Sequence, residues 1–138
     1  MKLHQIVYFG VLFLAVIVAL WRGGRPERSA AVAVLAASFA TPLVQSDLFA
    51  SPQYGILTVD LLLLGWLGLL ALVTDRFWPL WATGFHLIGT ITHVARMVDP
   101  TVVPPAYAIG QALWSYPVLA ALAWGTLVEA RAAEAPPR

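Results

Sequence analysis

Six residues in this chain carry groups that an apolar environment tolerates poorly: Asp60, His86, His93, Arg96, Gln45 and Gln111. Each sits in or beside a long hydrophobic run. An ionisable group placed there costs several kcal/mol unless it is paired or faces water, so it is a functional candidate by default. Asp60 with Arg96 would make an ion pair. Asp60 with His93 would make a proton-handling pair, because imidazole titrates near neutral pH and shifts readily. His86 and His93 are seven residues apart, roughly 10 Å along one helix. They cannot both ligate one haem iron, and His4 is the only other histidine that could face either of them. A metal at His4, Asp60 and His93 is conceivable, but no metal-ligand spacing such as HExxH occurs.

The spacing of these groups says which of them can share a face. His86, Gly89, His93 and Arg96 step by three, four and three, which makes one stripe on a helix. Tyr107, Gln111, Trp114 and Ser115 make a second stripe, and Ser38, Thr41, Pro42 and Gln45 a third. Stripes of this kind face protein or a water-filled cavity, not lipid. They predict a polar pocket around Asp60, His93, Arg96 and Gln111, with His86 at its floor and Gln45 and Trp114 at its margins.

The elements that must position these residues follow from composition. Of 138 residues 60% are hydrophobic and 11% charged, against roughly 25% charged in a soluble domain. A bilayer is the solvent that makes such a chain sensible. The expected fold is therefore all-α: a bundle of five transmembrane helices over about 3–21, 29–45, 54–73, 77–98 and 104–128. These form one domain, 1–129, followed by a flexible cytoplasmic tail, 130–138. The first run ends in Trp21-Arg22 with no small-residue cleavage site and reads as a retained span. Span 29–45 is the shortest, rich in Ala and interrupted by Pro42. The pairs Ala33/Ala37, Ala36/Ala40 and Ala106/Gly110 would allow close helix approach.

Loop charges set the orientation. With five crossings, Arg22, Arg25, Arg28, Arg76, Arg131 and Arg138 fall on one side, and Lys2, Asp47 and Asp99 on the other. The positive-inside rule then puts the N-terminus outside and the C-terminus in the cytoplasm. Trp21, Trp78, Trp81 and Trp124 fall at the inner interface, and Tyr8, Tyr54 and Tyr107 nearer the outer one. Under this topology every helix carries a polar group in its outer half, and the inner half reads as nearly pure hydrocarbon apart from hydroxyls.

Function is less sharply drawn. A net charge of +1 gives no basic field for nucleic acid, and the absence of Cys excludes thiolate chemistry, disulfides and iron–sulfur clusters. The residues themselves specify no cofactor. Three readings follow. The first is a small-molecule- or lipid-binding protein or accessory subunit of a bacterial inner-membrane complex. Its partners would be membrane lipids and a second membrane protein or further copies of itself. The second is a proton-coupled transporter using Asp60 and His93. It lacks a polar trail through the inner half and any inverted repeat. The third is a membrane enzyme or a haem or quinone redox subunit. It lacks a legible set of nucleophile, base and orienting group.

Overall fold

The computed structural model describes residues 3–46, 52–99, 101 and 103–135. The elements in chain order are α1 (Leu3–Arg22), α2 (Arg25–Val44), α3 (Tyr54–Val73), α4 (Trp78–Val98) and α5 (Pro104–Glu134). Among the described residues there is no strand. Each helix packs against the next in sequence, α5 closes on α1, and α2 also touches α5. The helices thus form a closed ring, and α3, α4 and α5 are consecutive members of it.

Local chemistry explains the boundaries. α1 stops at Gly23, where a Cβ would lie 2.3 Å from the Ala19 carbonyl oxygen and 2.5 Å from the Glu27 Cβ, so no larger residue fits the turn. α2 begins at Arg25, four residues ahead of the expected 29. Pro26 is suited to the first helical turn, and the Glu27 carboxylate reaches back to the Gly24 N–H at 2.9 Å, satisfying a donor the helix leaves unpaired. α2 then runs through Pro42 to Val44. α4 and α5 also open on prolines in their first turns. α5 is the longest helix, at 31 residues. It continues past the expected end at 128 because its Ala-rich last turns favour helix and Glu134 meets Arg22 at 3.0 Å. Helix therefore covers 130–134, where a flexible tail was expected; 136–138 lie outside the described residues.

The apolar core fills one half of the ring. Leu12, Val16 and Ala19 of α1 meet Ala30 and Val34 of α2, Leu63, Leu67 and Leu70 of α3, Ala82 of α4, and Leu119 and Leu122 of α5. Leu63, Leu67 and Leu70 follow the i, i+4, i+7 spacing of one helical face. The outside is apolar too: Leu14, Leu62, Leu72 and Ile109 are each more than 60% exposed. Helices α1, α2 and α3 are long and apolar enough to cross a membrane. α2 is among them despite Pro42. α4 and α5 carry the histidine, arginine, glutamine and tyrosine residues that build the site below.

Candidate functional site: a histidine cluster and a buried glutamate

The half of the ring away from the apolar core holds a hydrogen-bonded cluster built from α3, α4 and α5. His93 of α4 is at its centre and is fully buried. Its Nε2–H donates to Asp60 Oδ2 of α3 at 3.0 Å. Its Nδ1 lies 2.7 Å from the Tyr107 hydroxyl of α5 and 3.0 Å from Gln111 Nε2 of the same helix. With the proton on Nε2, Nδ1 is an acceptor and the Tyr107 O–H donates to it. The Tyr107 oxygen in turn accepts the Gln53 N–H at 3.2 Å. Gln53 Oε1 accepts the Ser46 N–H at 2.7 Å, tying the end of α2 to the start of α3. Two turns below on α4, His86 Nε2–H donates to the Asp60 backbone carbonyl at 3.0 Å. Both histidines of the stripe thus meet the same residue of α3.

Nδ1 has one lone pair, yet two donors converge on it. Tyr107 O–H holds the better geometry, and the Gln111 amide also contacts the far ring nitrogen, Nε2. A neutral imidazole takes only one donor at Nδ1, so the Gln111 amide packs on the ring beside the Tyr107 hydrogen bond. Asp60 is the accessible partner: its side chain is 19% exposed, against 0% for His93. Carboxylate, imidazole and hydroxyl stand in line as in a nucleophilic triad, but the Tyr107 residue is only 2% exposed and presents its oxygen to the protein, not to a substrate.

The other sequence-selected residues divide. Arg96 is buried one turn beyond His93, on the same face of α4. Trp114 is placed differently: its Cβ packs on Gly89 and its ring stacks on Phe85 with centroids 6.4 Å apart, so it belongs to the α4–α5 seam and not to the cluster. Gln45 is exposed at the end of α2, where its N–H caps the Thr41 carbonyl. Lys2 and Asp47 lie outside the described residues. Among the described residues no group of three His, Cys, Asp or Glu could hold a metal. Asp99 closes α4 by accepting the Thr101 hydroxyl and N–H, which together hold its carboxyl below the usual carboxylate range.

Tyr107 and Gln53 were missed as site residues. Tyr107 stands four residues before Gln111, one turn along the same face, but reads as an interfacial anchor. In the structure it is among the largest fully buried side chains. Tyr8 is likewise no simple anchor. Its hydroxyl shares a 2.8 Å hydrogen bond with Ser38, and its ring meets Tyr116 edge-on.

The opposite end of the ring holds a second polar network, centred on a residue just ahead of the expected span 29–45. Glu27 is fully buried there. Its Oε1 accepts the Trp78 indole N–H at 2.8 Å and the Arg76 guanidinium at 3.2 Å, while Oε2 accepts the Gly24 N–H. Arg76 also meets Glu129 at 3.1 Å. Trp78 is therefore a buried donor and not an interface anchor. It lies so close to α5 that a Cβ on Gly125 would fall 2.2 Å from its own Cβ.

Two grooves lie apart from the cluster. One, of about 250 Å³, runs beside Ala33, Ala36, Ala37 and Ala40 of α2 and Leu62 of α3, so these small residues leave a shallow trough beside α3. The other, of about 550 Å³, lies between α4 and α5 at the Glu27 end. No protein-family model, curated protein or solved structure matches the chain.

Proposed function

We propose that this chain is a five-span protein of a bacterial inner membrane, N-terminus outside, that binds a small polar or amphipathic molecule at the Asp60–His93 cluster. It works alone, as copies of itself, or as the accessory subunit of a membrane complex. The orientation is supported by the end of the ring that gathers Arg22, Arg25, Arg28, Arg76 and Arg131. The rule counts Lys and Arg whether or not carboxylates pair with them.

One observation carries the reading: a fully buried His93 joins Asp60 of α3 to Tyr107 and Gln111 of α5, while its carboxylate partner is partly open. A purely structural pair needs only Asp60 and His93. The Gln111 amide and the accessible Asp60 carboxylate together offer a donor and an acceptor. That pair suits a ligand with a hydroxyl, amide or carbonyl flanked by a hydrogen-bond donor. Native mass spectrometry of the protein released in mild detergent, with an absorption spectrum of the same sample, tests this. A bound mass lost in Asp60→Asn and His93→Ala, and kept in Gln45→Ala, is the expected result. Equal retention in all three contradicts it.

The same geometry favours a second reading, proton coupling through Asp60 and His93. A proton on Nδ1 turns it into a donor, the Tyr107 hydroxyl must then reorient, and a turned Gln111 amide offers its oxygen. Proton uptake by proteoliposomes that vanishes in His93→Ala would establish it.

A further inference from the structure

The groove between α4 and α5 is separate from the histidine cluster. Its walls are Phe77, Trp81 and Phe85 of α4 and Trp124 of α5, and its floor is made of small α5 residues from Pro117 to Gly125. At about 550 Å³ it falls within the usual size of a small-molecule site. From Pro117 to Glu129 it follows α5 for roughly 18 Å, close to the ~15 Å hydrocarbon depth of one leaflet. Trp81 and Trp124 are 53% and 70% exposed, so the groove opens sideways, towards where lipid would lie.

Its polar end is unbalanced in charge. Glu27 and Glu129 both pair with the single guanidinium of Arg76. Two carboxylates share one guanidinium, and among the described residues Arg25, Arg28 and Arg131 of the same end make no ion pair with either glutamate, so one carboxylate has no cation of its own. The Glu27 side chain is 0% exposed and that of Glu129 is 34% exposed, so the excess is presented at the rim by Glu129. A cation that donates hydrogen bonds would complete the set, and the aromatic walls add favourable surface for a positive group.

We propose that this groove binds a phospholipid whose headgroup carries a primary ammonium, with one acyl chain along the aromatic walls and the ammonium on Glu129. The assignment rests on the membrane-spanning reading above but not on any ligand at Asp60.

The test uses the full chain in mild detergent. It is mixed with equal amounts of phosphatidylethanolamine, phosphatidylcholine and phosphatidylglycerol of one acyl composition, and adducts are counted by native mass spectrometry. The ethanolamine lipid should exceed each of the others about tenfold, a difference of ~1.4 kcal/mol. Glu129→Gln, close in shape, should bring the three to parity. Ala120→Trp, at an exposed position on the groove, should lower all three adducts together, while Leu72→Trp on α3 leaves them as in the wild type. Asp60→Asn should leave the lipid adduct intact. Parity in the wild type, a preference that survives Glu129→Gln, or full adducts in Ala120→Trp would each overturn the assignment. Failure of the membrane reading shows differently, as a chain that stays dispersed without detergent.

Discussion

Both ends of the ring set a carboxylate against a basic group and join three elements through it, yet the two differ in how far the carboxylate is sealed. At Glu27 the donors match the acceptors. The Trp78 N–H and Arg76 share one oxygen, the Gly24 N–H takes the other, and the side chain is sealed from solvent. At His93 both ring nitrogens are engaged by side chains of α3 and α5, and Asp60 stays partly open. A fully satisfied and sealed buried network rigidifies a fold, and a partly open carboxylate leaves acceptor capacity for another molecule. The Glu27 knot therefore has the character of a structural clamp, and the Asp60–His93 cluster is where we propose that a ligand binds.

Removing one partner from each network sharpens that contrast. The largest loss of stability belongs to Arg76→Ala, which strips Glu27 of its cation. About 3 kcal/mol is expected, at the low end for a broken buried pair because Arg76 is itself 28% exposed. Thermal unfolding in detergent would read it, and an unchanged midpoint would remove Glu27 from its structural role. Gly125→Val comes next, since its Cβ has no room beside Trp78. Overpacking of this kind costs about 2 kcal/mol, seen as a lowered midpoint with the Trp78 environment perturbed in fluorescence. Tyr107→Phe should cost about 1 kcal/mol. It leaves the Gln53 N–H without the phenolic oxygen, but Gln111 is already in place to take over at Nδ1. A loss as large as that of Arg76→Ala would mean that the His93 end is also a clamp. Arg22→Ala should be the smallest, below about 1 kcal/mol, because both partners of the Arg22–Glu134 pair are largely exposed.

Much of the working site was legible in the sequence because it is local. His86, His93 and Arg96 follow a helical step, and a carboxylate at position 60 of an apolar run needs a partner within reach. The bounds of α3 were legible too, since Tyr54 and Val73 enclose a long apolar run interrupted by a single charge, Asp60. The clamp was not legible. Glu27 lies in an arginine-rich turn and reads as loop charge, and its partners Arg76 and Trp78 are about fifty residues further on. No local pattern signals that a tryptophan at a helix start will turn inward, because the reason is the space above Gly125 on another helix. Tyr107 escaped for a similar cause. Its spacing placed it on the right face, but the residue type suggested an interface, and only the approach of α4 decides that its hydroxyl meets an imidazole.

The division of labour is tested most directly by measuring ligand retention and thermal stability together on Asp60→Asn and Arg76→Ala, each beside the wild type. Asp60→Asn should lose the bound mass seen by native mass spectrometry and keep nearly the wild-type unfolding midpoint. Arg76→Ala should lose stability and, where folded, keep the ligand. If Asp60→Asn fails to accumulate or unfolds as early as Arg76→Ala, both ends are clamps and the working site is not at His93.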